Sequence, residues 1–339
     1  MDIGGANLKL ADLSGHATAS EFPLWRHPDE LADRLIAELS AFPAAERVAV
    51  TMTGELADCF LDRAVGVRQI VDQVSQATAA LELPAPVFYG VDGRFHDVIA
   101  AKQQTDVVAA SNWHALATYV ARSIAADGLL VDIGSTTTDL IPLRDGCVAT
   151  TSRTDYDRLC EQSLVYLGGG RTPVCSIVDS LLYEGRSVPV MREVFATMDD
   201  VRLLLQYQIE APDDLASADG KPRDRFHAAN RLARMIGLDH RTASLAAMVD
   251  SAGQVHRRAQ QLIAGAMSGL EQRGTGQLGT VVISGHADDL LPAQDSDTTI
   301  ISLPTLLGTT LSRCCPAYAV AQLWSDESDY AVRSPIVSS

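Results

Sequence analysis

Long apolar runs, paired cysteines and positive charge are what this sequence has least of. No uninterrupted apolar stretch approaches the length of a membrane span, and the opening MDIGGANLKL has neither the basic segment nor the apolar core of a secretory leader. The expected location is therefore the cytoplasm, with no membrane partner. The six cysteines (Cys59, Cys147, Cys160, Cys175, Cys314 and Cys315) form no CxxC pair and no zinc-type spacing with histidine, so they read as reduced, mostly buried small residues. Only 27 Lys and Arg stand against 43 Asp and Glu, for a net charge of -16, and the arginines are scattered. That field repels a phosphate backbone and argues against nucleic acid as a partner. A small anionic substrate is still allowed, because a few local donors and a divalent cation outweigh the field of the whole molecule.

What is present is a globular composition, 47% hydrophobic and 21% charged, over 339 residues, enough for two lobes with a cleft between them. Residues 17–24, 47–53 and 86–89 have strand character, whereas 28–42, 66–81 and 111–126 read as helices, the last capped by Ser111. Strands alternating with helices predict an α/β fold with largely parallel pairing. Farther on, 148–152, 165–167, 280–284 and 299–303 read as strands, and 226–236, 242–270 and 313–324 as helices. The Asp-, Pro- and Gly-rich stretch 211–225 reads as a loop, a lid or an insertion by its length. The expected organisation is a first lobe over 1–127 joined by a C-terminal helix near 312–326, a second lobe over 128–311, and a flexible tail from 327 to 339.

Two segments share one grammar. Each has an Asp, a Gly-containing turn with small hydroxyl or amide residues, and then a strand: Asp2-Ile3-Gly4-Gly5-Ala6-Asn7-Leu8-Lys9, and about 130 residues later Leu130-Val131-Asp132-Ile133-Gly134-Ser135-Thr136-Thr137-Thr138. Glycines let backbone amides approach an anion and hydroxyls add donors, so a duplicated hairpin of this kind suits phosphate. Two aspartates beside a phosphate repel it unless a divalent cation intervenes; at ~4 Å and an effective dielectric of ~20 the repulsion is roughly 4 kcal/mol per charge pair. Asp2 and Asp132 are the candidate Mg2+ ligands. Lys9 is either a phosphate contact or a solvated hairpin charge. Thr51, Thr53 and Glu55 sit at the exit of a strand, where α/β folds place ligands, with Glu55 either a catalytic base or a helix-capping acid. Asn112 opens a helix beside Trp113, which reads as core or binding surface. Gly168-Gly169-Gly170-Arg171 is either an anion loop or a flexible turn, and Asp219-Gly220 reads as a tight turn.

The two hairpins resemble the phosphate motifs of the actin-like, sugar-kinase and hydantoinase/oxoprolinase superfamily. DIGGANLKL, TMTGEL (51–56), SNW (111–113), LVDIGSTTTDLIP, RTPV (171–174), SADG (217–220) and RCCPAYAVA (313–321) are similar to the hydantoinase/oxoprolinase-related family linked to tetrahydromethanopterin-dependent C1 transfer. The resemblance implies two actin-like, ribonuclease H-like lobes and an Mg2+-dependent transferase. Such an enzyme condenses a diphosphate-activated aminomethylfuran with a phenolic acceptor, as in methanofuran synthesis. It also implies catalytic roles for Asp2, Asp132 and Glu55, phosphate contacts from Gly4, Gly5, Asn7, Lys9, Gly134, Ser135, Thr136 and Thr137, and substrate contacts from Thr51, Thr53, Asn112 and Arg171. The partner is a phosphorylated small molecule, and a homo-oligomer is compatible with the sequence.

Two departures from the family pattern stand out. Only Met1 precedes Asp2, so the start is truncated or the first strand shortened. The adenosine region, where a Gly-rich turn is expected, offers Ser284-Gly285-His286, one glycine and then a bulky ring. ATP is accordingly the alternative ligand, in a hydrolase or kinase of the same superfamily.

Overall fold

A computed structural model describes residues 1–275 and 279–333, and its architecture is mixed α/β. The first sheet contains β1 (Asp2–Ile3), β2 (Asn7–Ala11), β3 (Ala17–Glu21), β4 (Ala49–Met52), β5 (Val87–Tyr89) and β6 (Phe95–His96), in the order β3-β2-β1-β4-β5-β6. The second contains β7 (Gly128–Ile133), β8 (Thr138–Arg144), β9 (Cys147–Val148), β10 (Leu164–Val165), β13 (Thr280–Gly285) and β14 (Thr299–Ser302), in the order β10-β8-β7-β13-β14 with β9 on β8. Between them in sequence, β11 (Ser180–Tyr183) and β12 (Arg186–Pro189) form a separate hairpin.

The duplication seen in the sequence is thus a duplication of topology. In each sheet an Asp-bearing strand pairs antiparallel with the strand after its turn and parallel with a later one: β1 with β2 and β4, β7 with β8 and β13. Pairing is therefore less parallel than expected. A turn of a few residues can join only antiparallel neighbours, and parallel pairs arise only through the longer crossovers.

Period-two alternation sorts side chains to two faces. Leu129, Val131, Ile133, Val281 and Ile283 join a core on one side of the second sheet, while Leu130, Ile141 and Val282 join Trp113, Leu116, Ala319 and Leu323 on the other. That second core is built on helices Asn112–Ser123 and Cys315–Arg333 and takes in Ala49 and Tyr89 of the first sheet as well. Asp132 shares the strand face of Leu130, and Asp2 lies opposite the face of Ile3, so both carboxylates turn toward the side where these helices pack.

Several expectations change in detail. β1 is short, yet Met1 extends its pairing: the Met1 nitrogen donates to Ala49 O at 2.6 Å and the Thr51 amide donates to Met1 O at 2.9 Å. Residues 149–152 form no strand, because β9 ends at Val148. Ser111 makes no side-chain cap and spends its hydroxyl on Thr51 Oγ1 at 2.7 Å. The last helix continues to Arg333, with no Gly or Pro between residues 326 and 333 to stop it; the rest of the expected tail, 334–339, lies outside the described residues. The 211–225 loop is tied to its surroundings by Arg223 on Asp199, and by Arg231 and Arg234 on Asp219, around a Gly220 with φ of +66°. No helix among the described residues is long and apolar enough to cross a membrane.

Candidate active site

A cleft of about 510 Å³ is lined by both Asp-bearing hairpins. The two turns close in the same way: the Gly4 amide donates to Asn7 O at 3.0 Å and the Gly134 amide to Thr137 O at 2.9 Å. Those two amides are consumed by the turns themselves, which corrects the expectation that Gly4 and Gly134 donate to phosphate. The next amides, of Gly5, Ala6, Ser135 and Thr136, have no acceptor among the described residues and border the cleft. They are the donors an anion would meet.

The Gly168-Gly169-Gly170 loop does not wrap an anion. Its amides are committed, Gly169 to Gly134 O at 2.9 Å and Gly170 to Ser135 O at 3.0 Å, and a Cβ on Gly168 would lie 2.5 Å from Gly134 O. The loop is a backing plate for the second hairpin, and glycine is what lets the two backbones touch. Arg171 leaves it to donate from Nε to Thr136 Oγ1 at 2.9 Å, on the cleft wall.

The carboxylates are strained electrostatically. Asp2 is buried, its Oδ1 has no partner among the described residues, and burial raises its pKa while Lys9, with Nζ 3.9 Å from Oδ2, pulls it down. Asp132 is pushed up to about 6 by burial first and then by Asp139, its antiparallel partner across β8. Glu55 is almost fully enclosed at 1% exposure, and burial raises it to about 7 with a further push from Asp155. It caps no helix: the helix Arg63–Ala80 is capped by Asp62, which accepts from the Val65 amide. A carboxyl poised near neutrality beside a cleft is suited to taking and returning a proton.

Three neighbours carry charge that sequence reading missed. Arg158, buried on helix Asp155–Glu161, bonds Asp139 and lies 3.7 Å from Asp155. Its guanidinium stacks on the Trp113 ring at 4.2 Å. Trp113 is accordingly core, at 3% exposure, while still bordering the cleft. The one signal in the sequence was Asp139 itself, which stands where Lys9 stands in the first copy.

Thr53, Asn112, Asn7 and Thr137 line the cleft, with Asn112 Oδ1 accepting from the Trp113 amide. Thr51 does not: it is buried against Ser111. Ser284, Gly285 and His286 are also outside the cleft lining. Gly285 has φ of +88° and a Cβ there would fall 2.1 Å from Ile133 O, so its glycine is explained by packing against β7; His286 Nε2 lies 3.4 Å from Ser135 Oγ behind the hairpin.

Among the described residues no group of three or more His, Cys, Asp or Glu could hold a metal unaided. The pair Asp2 and Asp132, with an unpartnered buried oxygen, fits a cation that keeps one or two protein carboxylates and completes its shell with water and phosphate, the habit of Mg2+.

A family model described as hydantoinase/oxoprolinase matches residues 46–323. The chain is 34% identical over 332 residues, 97% of its length and 98% of the relative's, to the (4-{4-[2-(gamma-L-glutamylamino)ethyl]phenoxymethyl}furan-2-yl)methanamine synthase of Methanocaldococcus jannaschii. It is 29% identical over 217 residues, 62% of this chain and 96% of the relative, to the synthase of the same name from Methanococcus vannielii. Among solved structures, a nucleotide-free acetone carboxylase aligns over 93% of this chain and 51% of its own, with a TM-score of 0.45 at 13% identity, too distant to carry an argument.

Proposed function

Because the chain belongs to the hydantoinase/oxoprolinase family, we propose that it is a transferase of methanofuran-type cofactor synthesis that joins a diphosphate-activated aminomethylfuran to a phenol. The observation that carries the reading is the match along nearly the whole chain to a synthase whose named product holds a phenoxymethyl ether between a γ-glutamylaminoethyl-bearing ring and a furan methanamine. The cleft supplies chemistry of the right kind.

In this reading the amides of Gly5, Ala6, Ser135 and Thr136, with Lys9 and Arg171, bind the diphosphate oxygens and orient the furan methylene. Mg2+ held by Asp2 and Asp132 would offset the charge of the diphosphate in a cleft that otherwise repels it. The phenolic oxygen forms a bond to the methylene carbon as the bond from that carbon to the diphosphate breaks. Glu55 receives the phenolic proton, and the diphosphate leaves with the bonding electron pair. Closure of the cleft over bound substrate would keep water, the competing nucleophile, from the carbon.

Incubation of the protein with the furan diphosphate, γ-glutamyltyramine and Mg2+ tests this. One aryl ether and one diphosphate should form per turnover with no ATP consumed. ATP hydrolysed in proportion to a cleaved or phosphorylated small molecule would replace the reading with an ATP-dependent hydrolase or kinase.

A further inference from the structure

The second hairpin is held from behind by other segments of the chain. The Gly169 amide donates to Gly134 O at 2.9 Å, the Gly170 amide donates to Ser135 O at 3.0 Å, and His286 Nε2 lies 3.4 Å from Ser135 Oγ. Gly169 and His286 are far apart in sequence, yet one side chain touches both. Arg202, 2% exposed, donates from Nη1 to Gly169 O at 3.2 Å and from Nη2 to His286 O at 2.9 Å.

The rest of that guanidinium is anchored. Its Nε donates to Asp289 Oδ1 at 3.0 Å, and Asp289 Oδ2 is in turn 3.0 Å from His256 Nε2. The helix that carries Arg202, Met198–Leu204, is tied in on either side: the Asp199 amide donates to Gly170 O at 3.0 Å, and the carboxylates of Asp199 and Asp200 pair with Arg223 and Arg231. A Cβ on Gly169 would fall 2.3 Å from Ala287 Cβ and 3.1 Å from Arg202 Nη1, so glycine is what admits the contact.

A buried ion pair contributes little over well-packed apolar side chains of the same volume. What a guanidinium adds is a rigid planar fork that holds two carbonyls at one spacing, which an ammonium on a flexible stem does not do. The first hairpin is backed without such a device: the Phe22 amide donates to Ala6 O and the Leu24 amide to Gly5 O, both at 3.0 Å, from the chain that follows β3 of the same sheet.

We propose that Arg202 is a positioning residue for the anion site: by clamping Gly169 and His286 it sets the Ser135 and Thr136 amides that border the cleft. The assignment rests on the phosphate reading of the cleft and adds to it a residue outside the cleft lining.

Two readouts on the full chain separate the clamp from the diphosphate reading. Hydrogen–deuterium exchange over residues 167–172 reports the backing loop without any ligand, and calorimetry with Mg2+ and inorganic pyrophosphate reports the anion site. Arg202→Lys keeps the charge opposite Asp289 and loses the fork. It should speed exchange over 167–172 about tenfold, leave exchange over 2–7 unchanged, and weaken pyrophosphate about tenfold. Arg202→Met combined with Asp289→Asn removes both buried charges together and should give the same pattern, which keeps the test open if the lysine variant does not fold. Wild-type exchange or wild-type pyrophosphate affinity in a folded variant overturns the clamp, and so does loss of the fold in both, which assigns Arg202 to stability alone. Pyrophosphate that fails to bind the wild type counts against the diphosphate reading, while faster exchange over 167–172 in the variants still supports the clamp.

Discussion

The two hairpins share topology and turn closure but differ in the residue facing the aspartate across the strand pair. Asp2 faces Lys9, and Asp132 faces Asp139. The first copy therefore carries its own counter-charge, whereas the second sets two carboxylates side by side and draws Arg158 from a separate helix to compensate one of them. Asp132 gains only from Lys9 and Ser284, against burial and Asp139. The lesson is that a duplicated motif need not share its electrostatic work equally: one copy carries a lysine across from its aspartate, and the other a second carboxylate.

Replacing the aspartates should expose that inequality most strongly. Asp2→Asn and Asp132→Asn should each lower turnover by about a thousandfold, the scale at which a charge-stabilising group is lost. Their stabilities should part company. At pH 8 without metal, Asp132→Asn should melt higher than the wild type because it removes a charge that burial and Asp139 oppose, while Asp2→Asn should gain less because it also strands Lys9. Equal shifts in both variants would break the comparison.

The supports of the two copies should differ next. Arg158→Met leaves Asp139 without its partner in a largely enclosed place and should cost about 3 kcal/mol in a denaturant titration. Lys9→Met, whose partner contact is long at 3.9 Å and partly solvated, should cost less than about 1 kcal/mol. Asp139→Asn added to Arg158→Met should recover part of the loss.

Glu55 belongs to neither hairpin and sharpens the contrast through pH. Its carboxyl is raised from 4.5 to about 7, so the fold prefers its protonated form: the stability it lends is full below about pH 4.5 and is lost as pH rises through about 7. Glu55→Gln should flatten that decline in melting temperature. In the proposed reaction the ionised form is the active one, so the rate should climb with pH through about 7, and the same variant should remove this limb.

Much of this was legible in the sequence. Asp2-Ile3-Gly4-Gly5 and Asp132-Ile133-Gly134-Ser135 declare themselves because an Asp at a strand end before a glycine turn is a local pattern, and the strand periods of 129–133 and 280–284 are local too. Partner choice is not local. Arg158 finds Asp139 from 19 positions away, Ser111 shares its hydroxyl with Thr51 rather than capping its own helix, and Gly169 and Gly170 spend their amides on Gly134 and Ser135. Helix Met198–Leu204 is short and lies in a stretch without long periodicity, so its capping box of Thr197 and Asp200 is the local signal it offers. The cleft's floor could be read; its walls are made by tertiary contacts.

The central claim is that both copies converge on one metal-bridged diphosphate. Calorimetric titration of inorganic pyrophosphate into the wild type, Asp2→Asn and Asp132→Asn, each with and without Mg2+, tests it most directly. The account predicts binding to the wild type only with Mg2+, and loss of that binding in both variants. Binding that ignores Mg2+, or that survives when either aspartate is replaced, would contradict it.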